Sequence, residues 1–273
     1  LTTLAGLLTV LLSFGVCPDL TKRNTKSCET GSLEDFAISS NMSNLKIKTI
    51  PYVNEVTCID WKDGIKNIPD NVIDLILTDP PYGIRYKSNR RKVKHKSMKN
   101  DDGLYWLNDW CRELKRVSKP EAHIYVFCSW HNVDKFKQAL AEYFNIKNIL
   151  VWEKNYHGSG DLFGDYAPQY ELIIFCSNGN KKLNGGRSSN VIRAAKMQTD
   201  NHPTEKPTNL LKFLIGKSTN KGDLVLDTFA GSFSTARTCK EMGRNFICFE
   251  IEPEYCRIAK RLLNDVFELS SLF

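Results

Sequence analysis

Val72-Ile73-Asp74-Leu75-Ile76-Leu77-Thr78-Asp79-Pro80-Pro81-Tyr82-Gly83 reads as a buried strand that stops abruptly at a stiff turn. The apolar run is short, nearly continuous and bounded by polar residues, the pattern of a parallel strand covered on both faces. Two consecutive prolines fix two φ angles and remove two N–H donors. The first of them also drives Asp79 toward extended backbone. The turn therefore presents one carboxylate, backbone carbonyls and one aromatic ring at the end of a strand.

Working outward, similar short apolar runs recur at residues 56–59, 124–128, 149–152, 172–176, 224–226 and 246–249. Helical periodicity fills the spaces between them. Leu104, Leu107, Cys111, Leu114 and Val117 recur at steps of three and four, and Lys119-Pro120 stops that helix. Residues 132–143, 208–218, 235–242 and 254–263 carry the same period, with Gly243 placed to end one of them. The alternation predicts an α/β fold, a doubly wound sheet of about seven strands with room for antiparallel edge strands. Two long interruptions, 83–102 and 177–202, have the length of functional or mobile loops. The second is expected to hold a small target-recognition insertion, 177–201, between a first half at 42–176 and a second at 202–265. Lys181, Lys182, Arg187, Arg193 and Lys196 are its basic residues.

Ligands of doubly wound sheets sit outside the carboxyl ends of the strands, which is where the Asp79 turn falls. A planar base bearing an exocyclic amino group needs acceptors for its N–H donors and a ring to stack on. Stacking of a base on an aromatic ring is worth roughly 1–3 kcal/mol. For Asp79-Pro80-Pro81 alone, an ordinary β-turn with a solvated Asp is the plain alternative. A second strand–turn–helix runs Leu224-Val225-Leu226-Asp227-Thr228-Phe229-Ala230-Gly231-Ser232, and an acid, Glu250, ends the next strand. Glycine permits close backbone approach to a ligand, and a carboxylate at that spacing suits the ribose hydroxyls of a nucleoside cofactor.

Thr78-Asp79-Pro80-Pro81-Tyr82, His202-Pro203-Thr204-Glu205-Lys206-Pro207 and Asp227-Thr228-Phe229-Ala230-Gly231-Ser232, in that order, resemble the amino-methyltransferases of bacterial and phage DNA. The catalytic motif before the cofactor motif is similar to their β-group, and the resemblance spans roughly residues 46–265. It implies a fold of the S-adenosylmethionine-dependent methyltransferase type. S-adenosylmethionine would be the cofactor, with Glu250 on the ribose and Asp227, Phe229, Gly231 and Ser232 shaping its pocket. Thr204 and Lys206 would line that pocket, although Thr204 also reads as a helix N-cap and Lys206 as a solvated cation. Asp79, Pro80, Pro81 and Tyr82 would act on N6 of an adenine extruded from the duplex. N4 of cytosine is the alternative target. A weak or inactive relative is another, because Phe233 stands where the family usually has a second glycine. No Pro-Cys dipeptide is present to support attack at C5 of cytosine, and His202 has no neighbours suggesting a metal site.

The formal net charge is +7, a mild lean toward a polyanion. Its densest source is the stretch 85–99, where Arg85, Lys87, Arg90, Arg91, Lys92, Lys94, Lys96 and Lys99 occur without one acid. Lys87, Arg90, Arg91, Lys92, Lys94 and Lys96 are the candidate phosphate contacts; a solvated loop is the plain reading. Trp152, Lys154 and Tyr156 follow another strand and are candidates for a base-pocket wall, with Trp152 as core the simpler assignment. Nine cysteines without a C-x-x-C pair point to reduced thiols and a cytoplasmic protein. Residues 4–16 are apolar but too short to span a bilayer and lack a preceding positive charge. A functional start at Met42 is therefore expected, with 1–41 an extension outside the fold. Double-stranded DNA is the implied partner. A homodimer and a cognate restriction endonuclease are further associations the resemblance allows.

Overall fold

The computed structural model describes residues 49–83, 103–158, 163–195 and 206–270 of the chain. They belong to one compact unit, Met42–Phe273. Residues 1–41, Lys196, His202, Thr204 and the candidate phosphate contacts between Lys87 and Lys96 lie outside the described residues. No helix among the described residues is long and apolar enough to cross a membrane.

Strand β1 (Val56–Cys58) leads to a short helix α1 (Trp61–Gly64) and then to β2 (Ile73–Thr78). Helix α2 (Leu107–Val117) runs directly into β3 (Ser118–Cys128), followed by α3 (Val133–Ala141). Strands β4 (Asn145–Glu153), β5 (Tyr170–Ser177) and β6 (Val191–Arg193) come next. Helix α4 (Thr208–Ser218), β7 (Leu224–Asp227), α5 (Ser234–Glu241), β8 (Asn245–Glu250) and α6 (Pro253–Ser270) complete the order.

All strands join one eight-stranded sheet in the order β1-β8-β7-β2-β3-β5-β4-β6. Only β5 runs against its neighbours β3 and β4; every other pairing is parallel. Inner strands are covered on both faces, which explains their continuous apolar runs. Ile124, Val126 and Cys128 of β3 join a core with α2 and α3, while Tyr125 and Phe127 join a second core with α4, α5 and α6. Asp74, the polar residue inside β2, accepts hydrogen bonds from Lys119 Nζ (2.7 Å) and the Leu224 amide (3.0 Å), joining β2, β3 and β7.

The expected seven strands become eight because Val191-Ile192-Arg193 pairs with Val151–Glu153 of β4 at the sheet edge. Three half-exposed residues give no apolar run to detect in sequence. Strand β3 also begins at Ser118 rather than 124. After the buried Ser118, Pro120 and Glu121 are exposed, and Pro120 is tolerated near this strand start. The seven cysteines among the described residues are all free thiols, six of them buried.

The candidate active site at the carboxyl edge of the sheet

Strands β2 and β7 are parallel neighbours, with Ile76 beside Leu226. From β2 the chain crosses to β3 on one side, and from β7 to β8 on the other. The two connections diverge, so a crevice opens between the carboxyl ends of β2 and β7, the usual ligand position of a doubly wound sheet. That crevice is a cavity of about 210 Å³, lined by Asp79, Pro80, Pro81 and Tyr82 after β2, by Asp227 at the end of β7, and by Phe229, Gly231 and Ser232 after it. Glu250 closes it at the end of β8, and Lys206 enters just before α4. At roughly 10–15 Å³ per water on this scale, the space is that of an organic ligand rather than a single solvent molecule.

The two turns are fixed to each other below the cavity floor. Trp110 Nε1 donates to Thr228 Oγ1 (3.0 Å), and that hydroxyl lies 3.2 Å from Thr78 Oγ1. Phe229 is held by ring contacts with Trp61, Trp106 and Trp110. Glu250 accepts the Gly231 amide on Oε2 and the Glu252 amide on Oε1, both at 2.8 Å. Each of its oxygens keeps acceptor capacity beyond that one bond. Burial raises the Glu250 carboxyl, an effect partly offset by those backbone donors. Burial likewise pushes Asp227 up to about 6, against the opposing pull of Thr235, the Phe229 amide and Thr78.

At the other end stands a chain of alternating charges. Asp79 Oδ2 meets Lys206 Nζ at 2.6 Å, Lys206 meets Glu171 Oε2 at 2.9 Å, and Glu171 Oε1 meets Lys154 Nζ at 2.8 Å. Lys206 is not solvated: its side chain is only 8% exposed, with Nζ 4.7 Å from the Phe127 ring centroid and 5.9 Å from that of Trp152. Burial alone would lower its pKa, but the Asp79 and Glu171 carboxylates outweigh it and hold the ammonium charged. Burial would raise Glu171, and the two lysines overcome it, leaving the carboxyl well below its ordinary value. The other Asp79 oxygen, Oδ1, accepts the Tyr82 hydroxyl at 2.6 Å. Burial first, and Asp79 second, raise the Tyr82 phenol, so it stays a donor.

The sequence reading missed Glu171. It lies 35 residues from Lys206 in a β-rich run, and only the pairing of β5 beside β3 and β4 brings it to the cavity. Trp152 proves to be both core and wall: it is 1% exposed, donates from Nε1 to the Ala194 carbonyl (2.8 Å) and lines the cavity. Lys154 enters through its bond to Glu171, while Tyr156 is exposed and outside the lining. Phe233 points away from the cavity. It is 1% exposed in the second core, with the neighbours Ser232 and Ser234 lining the cavity in its place. Its backbone is left-handed, φ 59° and ψ 30°, a conformation that glycine adopts without strain.

The described part of the expected recognition insertion, 177–195, divides between the two edges of the sheet. Residues next to β5 sit at the opposite, amino edge: Lys181 Nζ donates to the Ser218 carbonyl at the end of α4, and Asn184 Nδ2 donates to Gly216 and Thr219. The backbone carbonyl of Lys181 also accepts from His123 Nε2, completing a buried His123–Ser218–Tyr125 cluster remote from the cavity. Lys181 thus caps a helix, far from the Asp79 turn. Strand β6 returns the chain to the cavity edge, where Arg193 pairs with Glu153 (3.0 Å).

A family model described as DNA methylase, of the N6/N4 type, matches residues 73–261. The chain belongs to that family. It is 31% identical over 249 residues to the DNA adenine methyltransferase YhdJ of Escherichia coli (strain K12), covering 77% of this chain and 84% of the relative. It is 29% identical over 239 residues to the type II methyltransferase M.HpaI of Haemophilus parainfluenzae, covering 77% and 74%. Among solved structures, the M1.HpyAVI–SAM complex superposes with a TM-score of 0.58 at 25% identity, covering 75% of this chain and 96% of that one.

Proposed function

We propose that this DNA methylase transfers a methyl group from S-adenosylmethionine to N6 of adenine in DNA. The observation that carries the reading is the cavity: an Asp79 carboxylate held beside an acid-walled nucleoside site between β2 and β7. The cofactor fits the residues present. It is a sulfonium cation with a ribose diol and no phosphate, and the lining holds the acids Asp79, Glu171, Asp227, Glu250 and Glu252 against one cation, Lys206. A phosphate-bearing dinucleotide would meet repulsion there. Glu250 would hold the ribose, with Phe229 as the apolar wall and Gly231 and Ser232 admitting close backbone approach.

When bound, S-adenosylmethionine supplies an electrophilic methyl group. The protein's part is to orient the acceptor amine, whose lone pair is delocalised into the base. Asp79 Oδ1 and the Pro80 carbonyl accept the two amino hydrogens, drawing the nitrogen toward tetrahedral geometry. For that, the amine replaces the Tyr82 hydroxyl on Oδ1, which frees the Tyr82 ring to lie against the base. Lys206, braced by Glu171 and Lys154, holds the Asp79 side chain in position as positive charge develops on the nitrogen. Such fixed charges act without reorganisation during the reaction.

The names of the relatives support adenine as the base and a restriction–modification setting, in which an endonuclease of matching specificity is the partner. The composition of the basic stretch 85–99, eight cations without an acid, supports phosphate contact. Radiolabelled methyl transfer to unmodified duplex DNA tests the activity, with Asp79→Ala as the comparison. Wild-type transfer roughly 100- to 1,000-fold above the variant is expected from the loss of a preorganised acceptor. Equal transfer by both would remove Asp79 from the mechanism.

A further inference from the structure

Six aromatic side chains are exposed among the described residues: Tyr105, Trp130, Tyr156, Phe163, Tyr166 and Tyr170. All six fall on the cavity edge of the sheet. Tyr105 lies in the connection from β2 to α2, Trp130 in the turn from β3 to α3, and the other four between the end of β4 and the start of β5. Large exposed rings scattered singly need no explanation, but their concentration on one edge marks an interaction surface. Trp130 is the best prepared of them. Its ring is 55% exposed and stacks on His131 with centroids 3.9 Å apart and planes 25° apart. Ser129 Oγ bonds His131 Nδ1 at 2.8 Å and fixes that imidazole. The same turn is tied to the Asp79 loop, because Asn132 Nδ2 donates to the Tyr82 carbonyl (2.8 Å) and Lys135 Nζ holds Asn132 Oδ1 (2.8 Å).

We propose that the Ser129–Asn132 turn is a second nucleic-acid contact, in which Trp130, backed by His131, stacks on an unpaired base beside the one bound at Asp79. The inference rests on the DNA reading above. Extruding a base leaves its neighbours and its former partner unstacked, at a cost of a few kcal/mol. An aromatic face recovers part of that by stacking, without regard to sequence. The bond from Asn132 to Tyr82 places this face at a fixed offset from the turn that takes the extruded base.

The test titrates the full chain, wild type, W130A and W130F, against a mixed-sequence single-stranded oligonucleotide and its fully paired duplex, read by fluorescence anisotropy. Stacking of this kind predicts that W130A binds the single strand roughly 5- to 100-fold more weakly, while W130F stays within about threefold of wild type. The loss on the paired duplex, titrated without S-adenosylmethionine so that the complex read is the phosphate-bound one before any base is extruded, is expected to be within about twofold. Unchanged affinity of W130A for the single strand overturns the proposal, and so does an equal loss on both DNAs. Methyl transfer to duplex DNA is measured in parallel. A wild-type protein that transfers nothing defeats the methylation reading, while the anisotropy result still decides this one. Trp130 is exposed, so its replacement leaves the fold intact, which circular dichroism verifies.

Discussion

Asp227 is the residue where the site's demands oppose the fold's. It is 4% exposed at the end of β7, with the Phe229 amide on Oδ1 at 3.1 Å. A carboxyl raised to about 6 when folded, against 3.8 when unfolded, is favoured in its neutral form. Its contribution to stability is therefore full below pH 3.8 and is lost as pH rises through 6. At about 1.4 kcal/mol per pH unit, the loss amounts to about 3 kcal/mol at neutral pH. Asp227→Asn is expected to gain stability relative to wild type as pH is raised from 4 to 7.5, seen as a widening difference in Tm. A constant difference across that range would contradict the assignment. Lys206 shows the opposite solution at the other end of the cavity, where a buried charge is balanced by Asp79 and Glu171 at 2.6 and 2.9 Å.

Helix α5 and the turn before it carry the next scale. Phe233 caps the helix in a left-handed conformation, which costs a residue with a Cβ roughly 1–2 kcal/mol. Burial of its ring in the second core offsets that cost. Phe233→Gly and Phe233→Ala both lose the buried ring, about 3–5 kcal/mol for large-to-small changes of this kind. Only glycine also relieves the backbone, so Phe233→Gly should be the more stable of the two by about 1 kcal/mol, reversing the usual preference for alanine near a helix. Denaturant melts of both variants check the order; Ala above Gly would refute the strain argument. These elements also mark what sequence can and cannot reveal. The Asp79 turn was legible because a strand, two prolines and an aromatic ring are local. So was Gly243, which ends its helix at φ +69°. The direction of the Phe233 side chain was not, since it depends on which face of the turn the core occupies. Strand β6 was invisible for want of an apolar run, and Glu171 because its partners come from other elements.

Across the whole molecule, the sheet sorts its surface by edge. The carboxyl edge carries the cavity and the exposed aromatics. The amino edge is closed by helix-capping contacts such as that of Lys181. The sequence reading recovered the doubly wound architecture and the two motif turns. Nothing local in 177–195 shows that the chain changes edge there. With a net charge of +7 and eight basic residues in one short stretch, DNA affinity should fall steeply with salt. Replacing Arg90, Arg91 and Lys92 together with alanine should weaken binding and reduce the log–log salt slope by about 2–3, close to one for each phosphate no longer neutralised. An unchanged slope would assign the charge to solubility instead.

The central claim is the chemistry at Asp79, and product identity tests it most directly. Unmodified DNA is incubated with the full chain and S-adenosylmethionine, digested to nucleosides and examined by mass spectrometry. N6-methyldeoxyadenosine made by the wild type and absent with Asp79→Ala is the predicted result. N4-methyldeoxycytidine as the product, or no methylated nucleoside from a protein that binds the cofactor, would contradict it.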